Sequence, residues 1–160
     1  MRRGLLLGVL AVVLATAGCG GDDDDSDGSA STVSKAEFIQ RADELCRDFR
    51  RKRDDLEAEA DATSDTDRQA QIFRQLADEA DATGDKFERL PVPAGDKAII
   101  DRYISASRDQ IDVVRRIADA LDDRDPGAVA TLLGSGERSG DEVQDIAQDY
   151  GFKVCGSEGQ

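Results

Sequence analysis

From Ser34 onward, apolar residues recur three and four positions apart, the spacing that lays them along one face of an α-helix. Phe38, Ala42, Leu45, Phe49 and Leu56 form the first stripe, with one polar gap at Lys52. Ser34-Lys35-Ala36-Glu37 reads as a capping box at its start, and the helix is expected to run to about Ala62. A second stripe, beginning near Thr66, carries Ala70, Phe73, Leu76, Ala80, Phe87 and Leu90, with Gly84 inside it. Pro91-Val92-Pro93 must end that helix near Leu90, because proline removes a donor and restricts the residue before it.

The third stripe is the most regular. Ile100, Tyr103, Ile104, Ser107, Ile111, Val114, Ile117 and Leu121 predict a helix from about Asp96 to Asp123. Asp125 then caps a fourth helix, with Pro126 in its first turn. Val129, Leu132, Leu133, Val143, Ile146, Ala147 and Tyr150 make its stripe, and Gly151 is suited to end it. Gly134, Gly136 and Gly140 weaken its middle, and Ser139-Gly140-Asp141-Glu142 could cap a fresh helix. The stripe stays in phase across this break, so one kinked helix is the first expectation and two helices the second.

Strand-like alternation is absent. Four amphipathic helices of similar length with short joints predict an all-α, up-down-up-down four-helix bundle over residues 34–160. Its core is thin: Leu, Ile, Val and Phe number 26 from Ser34 to the end, close to the composition at which chains fail to fold.

The N-terminal residues follow other rules. Arg2 and Arg3 precede an apolar run from Gly4 to Gly18, which ends in Thr16-Ala17-Gly18-Cys19. A positive start, a short apolar segment and small residues at the cut site make a signal peptide, here residues 1–18. About 15 apolar residues are too few to span a membrane core, which needs roughly 20. The stretch resembles the bacterial lipobox, with Ala17, Gly18 and Cys19 matching well and Thr16 standing where Leu is commonest. The resemblance implies a lipid on Cys19 and attachment to the outer face of the cell membrane. Arg2-Arg3-Gly4-Leu5-Leu6 faintly resembles a twin-arginine export signal, although general secretion is the expected route. Residues 19–33 then form an acidic tether. Gly20 to Thr32 contains five Asp and no bulky apolar side chain, and so cannot bury enough surface to fold. It lacks the Gly and Glu spacing of a calcium-binding loop, which leaves a solvated spacer as the expectation.

With Cys19 taken by lipid, Cys46 and Cys155 remain. In an exported chain two thiols most simply form one disulfide, the alternative being two separate buried thiols. Bundle geometry favours the bridge. Cys46 lies twelve residues into the first helix, about 18 Å along its axis. An extended tail from Gly151 covers about 17 Å by Cys155 and can run back beside the first helix, aided by Phe152 and Val154.

Composition narrows the chemistry. There are 35 acidic against 21 basic side chains and no His, for a net charge of −14 that deepens once Arg2 and Arg3 are cleaved. Such a surface repels nucleic acid and anionic headgroups, so no nucleic-acid partner is expected and membrane attachment rests on the lipid at Cys19. Without His, the Ser-His-Asp and Cys-His systems, the Glu-x-x-His di-iron motif and mixed His/Cys zinc sites are all excluded. No catalytic residue, metal ligand or cofactor is implied. Glu57, Glu59 and Asp61, and Asp78, Glu79 and Asp81, read as solvated acidic faces or, failing that, a weak divalent-cation site. Arg47, Arg50, Arg51, Lys52 and Arg53 are expected to pair with the surrounding Asp43, Glu44, Asp48, Asp54, Asp55 and Glu57 and with the neighbouring acidic helices, the alternative being anion binding.

The chain also resembles a group of uncharacterised actinobacterial lipoproteins. The likeness rests on the lipobox, the polar tether, and a first helix beginning Ser34 to Ile39 with Ala42, Asp43 and Cys46. It extends to a joint partly matched by Leu90 and Pro93, and to a closing Tyr-Gly-Phe-x-Val-Cys-Gly at Tyr150 to Gly156. It implies a helical, disulfide-linked, surface-anchored domain and supplies no activity. The expectation is therefore a monomeric, non-enzymatic lipoprotein of the cell envelope that binds a protein or envelope component. The alternative is a carrier of a small apolar ligand, in a bundle opened at Gly134–Gly140. A filled core favours the first reading, and a lined cavity of about 300 Å3 or more favours the second.

Overall fold

A computed structural model of the chain describes residues 33–155. The signal segment, Cys19, the acidic tether to Thr32 and the closing Gly156 lie outside these residues. Four helices follow in order: α1 Lys35–Ala62, α2 Thr66–Glu88, α3 Lys97–Asp122 and α4 Pro126–Tyr150.

Three of the four starts are capped by the side chain before them. Glu37 N–H donates to Ser34 Oγ, Asp67 and Arg68 N–H to Asp65, and Ala128 N–H to Asp125 Oδ1. Only half of the expected capping box forms at α1, because the Glu37 carboxylate instead takes Arg41 at 2.6 Å. α2 stops at Glu88, ahead of the proline joint. α4 is one continuous helix through Gly134, Gly136 and Gly140.

Both later helix ends turn through the left-handed region. At α4 this is Gly151, at φ 103°, where Phe152 N–H reaches back to Ala147 O. At α3 it is Arg124, at φ 54°, with Asp125 N–H bonded to Ala120 O. Glycine takes this conformation freely, whereas Arg holds it at a cost. The Gly151 turn matters most, because it reverses the chain and aims Phe152 into the bundle.

The helices pack in sequence order, α1 on α2, α2 on α3 and α3 on α4. α1 and α4 share no Cα pair within 8 Å. The C-terminal tail occupies one end of the seam between them. Phe152, 4% exposed, enters a cluster with Phe38, Phe87, Tyr103 and Tyr150, at ring-centroid separations of 4.9 Å to Tyr150 and 5.4 Å to Tyr103. Burying a side chain of this size contributes roughly 1.5–3 kcal/mol. Cys155 lies against Cys46 with Cα atoms 5.1 Å apart and closes the disulfide expected from the sequence.

Candidate functional site

The core is filled at both ends and open between them. At one end, Phe38, Ala42, Phe87, Ile100, Tyr103, Val143, Ile146, Tyr150 and Phe152 form the larger cluster. At the other, Ile117, Ala120 and Leu132 are buried, with Phe73, Val113 and Val129 partly covered against them. Between the two lies a cleft of about 610 Å3, lined from all four helices and the tail.

Its lining explains where the thin core goes. The chain has five Phe and two Tyr. Five of these rings meet in the filled end, and the other two, Phe49 and Phe73, line the cleft. Leu76, Ile104, Val113, Val114 and Leu133 line it as well. These belong to the predicted stripes or flank them, yet they are only partly buried, and Leu133 is 47% exposed. Apolar area left open to water forgoes about 25 cal/mol per Å2 of burial. A marginal bundle would gain from closing over these side chains.

Glycines mark the opening. Gly84 on α2 and Gly136 and Gly140 on α4 all line the cleft. A Cβ at Gly84 would meet nothing within 4 Å. At Gly140 it would lie 3.1 Å from Gln110 Nε2, so α3 and α4 come close there. Each glycine inside a helix costs about 1 kcal/mol relative to Ala. The sequence marked Gly134 with these two as the place of opening, but Gly134 is not among the lining residues.

A second groove, of about 670 Å3, lies outside the α2–α3 joint, beside Val92, Pro93, Ile100 and Ile104. It is edged by Glu88, Lys97, Asp101 and Arg108 and draws on one joint instead of the bundle interior. The central cleft is the stronger candidate because every helix contributes to it.

One end of the cleft is closed by a lock that the sequence only half revealed. Asp43 is 6% exposed, so it is not among the surface acids that neutralise the arginine cluster. Its carboxylate accepts the N–H groups of Lys153, Val154 and Cys155 at 2.8–3.2 Å. Arg50 donates to Val154 O at 2.6 Å. Asp43, Cys46 and Arg50 are spaced three and four apart, so they share one face of α1 and hold the tail by an acceptor, a covalent bond and a donor. The physical reason is local: the tail arrives with its N–H groups unpaired, and a carboxylate, which only accepts, satisfies several of them at once with charge-assisted bonds.

Within the rest of the basic cluster, Arg51 pairs with Asp48, Lys52 with Glu79, and Arg53 with Asp54 and Glu57. The acidic faces are largely taken in the same way, since Glu59 meets Arg68 and Asp81 meets Arg115. Among the described residues no group of three or more Cys, Asp or Glu is arranged to hold a metal ion. Exposed pairs of this kind contribute about 0–1 kcal/mol each.

Two phenols flank the closed end. Burial pushes Tyr103 up to about 12, and the charge of Asp43 adds to the rise, while a contact with Ser107 works against it. Burial and the 2.7 Å hydrogen bond from Tyr150 Oη to Asp96 raise Tyr150 above the ordinary tyrosine range. Both therefore stay protonated at neutral pH, and Tyr150 donates to Asp96. Among the described residues no buried side-chain N or O lacks a hydrogen-bond partner, so the filled end offers no unsatisfied polar group to a ligand.

Among the described residues no helix is long and apolar enough to cross a membrane. In comparisons with protein-family models, characterised proteins and solved structures, nothing matches the chain.

Proposed function

We propose that this protein is a lipid-anchored, non-enzymatic binding module of the cell envelope, and that its ligand is a small molecule with an apolar body held in the central cleft. The observation that carries the reading is the cleft itself. It exceeds the volume expected of a small-molecule site at its lower end, about 300 Å3. It is walled by Phe49, Phe73, Leu76 and Val114, which a binding-free bundle would gain by covering. The anchor rests on Thr16-Ala17-Gly18-Cys19.

The anchor is tested in cells: Cys19→Ala should abolish incorporation of labelled fatty acid, and unchanged labelling would remove the lipoprotein reading. The cleft is tested by plugging it. Because a side chain at Gly84 enters open space, Gly84→Leu should leave the fold intact and raise stability by about 0.5–1 kcal/mol through helix propensity. The same change should weaken binding of a neutral naphthylamine fluorophore by about tenfold or more. The protein for this titration is the mature chain carrying Cys19→Ser, to keep lipid out of the assay. If the parent chain binds no such probe, the carrier reading fails. Equal binding by parent and Gly84→Leu would place the probe elsewhere.

A further inference from the structure

The charge left unanswered around the cleft is negative, and this selects among apolar ligands. The basic residues that line it are all engaged. Arg50 donates to the tail, Arg53 pairs with Asp54 and Glu57, and Arg108 pairs with Glu88. Of the acidic residues that line it, Glu57, Glu88 and Asp81 are paired with Arg53, Arg108 and Arg115. Asp85 on α2 and Glu137 and Asp141 on α4, all three exposed, line the rim of the same cleft and pair with no cation among the described residues.

The segment of α4 that carries two of these acids breaks local rules for a helix. Gly136 and Gly140 lower its propensity. Glu137 and Asp141 stand four residues apart, where like charges repel each other. Arg138, close enough in sequence to relieve them, is bonded to Ser135 Oγ at 3.1 Å instead. Local rules tend to be broken where a site needs it. Here both kinds of departure fall on the cleft wall, next to the exposed Leu133.

Resting on the reading of the cleft as an apolar binding site, we propose that its ligand is a cationic amphiphile, an apolar body with an amine or quaternary ammonium group set against Asp85, Glu137 and Asp141. The apolar walls take the body, and the three unpaired carboxylates supply the complementary charge. An anionic amphiphile of the same body is repelled by the same groups.

The test uses probes with one decyl chain and three headgroups: trimethylammonium, maltoside and sulfate. Each is titrated by calorimetry below its micelle concentration into the mature chain carrying Cys19→Ser. The ammonium probe should bind about tenfold or more tighter than the maltoside, with the sulfate weakest. The triple variant Asp85→Asn, Glu137→Gln, Asp141→Asn should lose that preference and keep its maltoside affinity. A control triple, Glu44→Gln, Asp55→Asn, Asp109→Asn, removes the same charge from exposed positions outside the cleft lining, and it should keep the preference. Equal binding of ammonium and maltoside probes would overturn this proposal and leave the carrier reading standing. So would a preference lost equally in the control, since that would report general surface charge. No binding by any of the three would instead remove the carrier reading beneath it.

Discussion

Replacing Cys155 by Ser should lower the stability of the mature chain by about 2–5 kcal/mol, measured by urea unfolding of the oxidised parent and the variant. The bridge joins residues 109 apart. In the chain-entropy model, a closed loop of that length restricts the unfolded ensemble by roughly 4.7 kcal/mol. The folded state gives up less. Phe152 stays among its rings and Asp43 still holds the tail amides, so the helices should persist in the circular dichroism of the variant. A bundle with so few large apolar side chains, and an open cleft among them, has little stability to spare. A change below about 0.5 kcal/mol would show that the bridge is incidental. So would two reactive thiols in the folded, oxidised protein.

The bridge was legible in the sequence because it needed only helix rise, chain reach and topology, all of which scale with residue number. Helix boundaries were legible for a similar reason. Ser34 and Asp125 are residues whose side chains reach the free N–H groups of a following turn. The joint at Pro91-Val92-Pro93 leaves a helix no way to continue.

The cleft was much less visible. Periodicity says which face of a helix is apolar, but it does not say whether opposing faces meet. Phe49 and Phe73 sit in their stripes with the same spacing as Phe38 and Phe87, yet the first pair faces an opening and the second pair touches at a ring-centroid distance of 5.7 Å. What separates them is whether a tail fills the α1–α4 seam at that height, a tertiary fact. Gly136 and Gly140 gave a real signal, since glycines in phase with an apolar stripe weaken a helix without redirecting it. Asp43 was misread because an acid among arginines suggests surface pairing. Its place three residues before Cys46 held the better clue: if Cys46 faces the tail, so does Asp43.

That shared face makes Asp43→Ala the most informative single change after the bridge itself. Three backbone N–H groups of the tail converge on this one carboxylate, which is nearly buried. A buried donor left without an acceptor costs about 1–3 kcal/mol, although water can recover part of that at a partly exposed tail. The expected loss for Asp43→Ala is therefore about 2–4 kcal/mol. Asp43→Asn should cost less, about 1 kcal/mol, because the amide keeps one oxygen for Val154 and Cys155 while giving up the charge. The effect should also depend on the disulfide. With Cys155 bonded to Cys46, the tail cannot carry its amides away to water, and the vacancy at Asp43 is felt in full. With Cys155→Ser, the tail is free to lift, and Asp43→Ala should cost less by about 1 kcal/mol or more in a double-mutant cycle. Additive losses would mean that Asp43 and the bridge stabilise the bundle separately, and a loss under about 0.5 kcal/mol for Asp43→Ala alone would mean that the tail is held by Phe152 and sulfur, with the carboxylate a bystander.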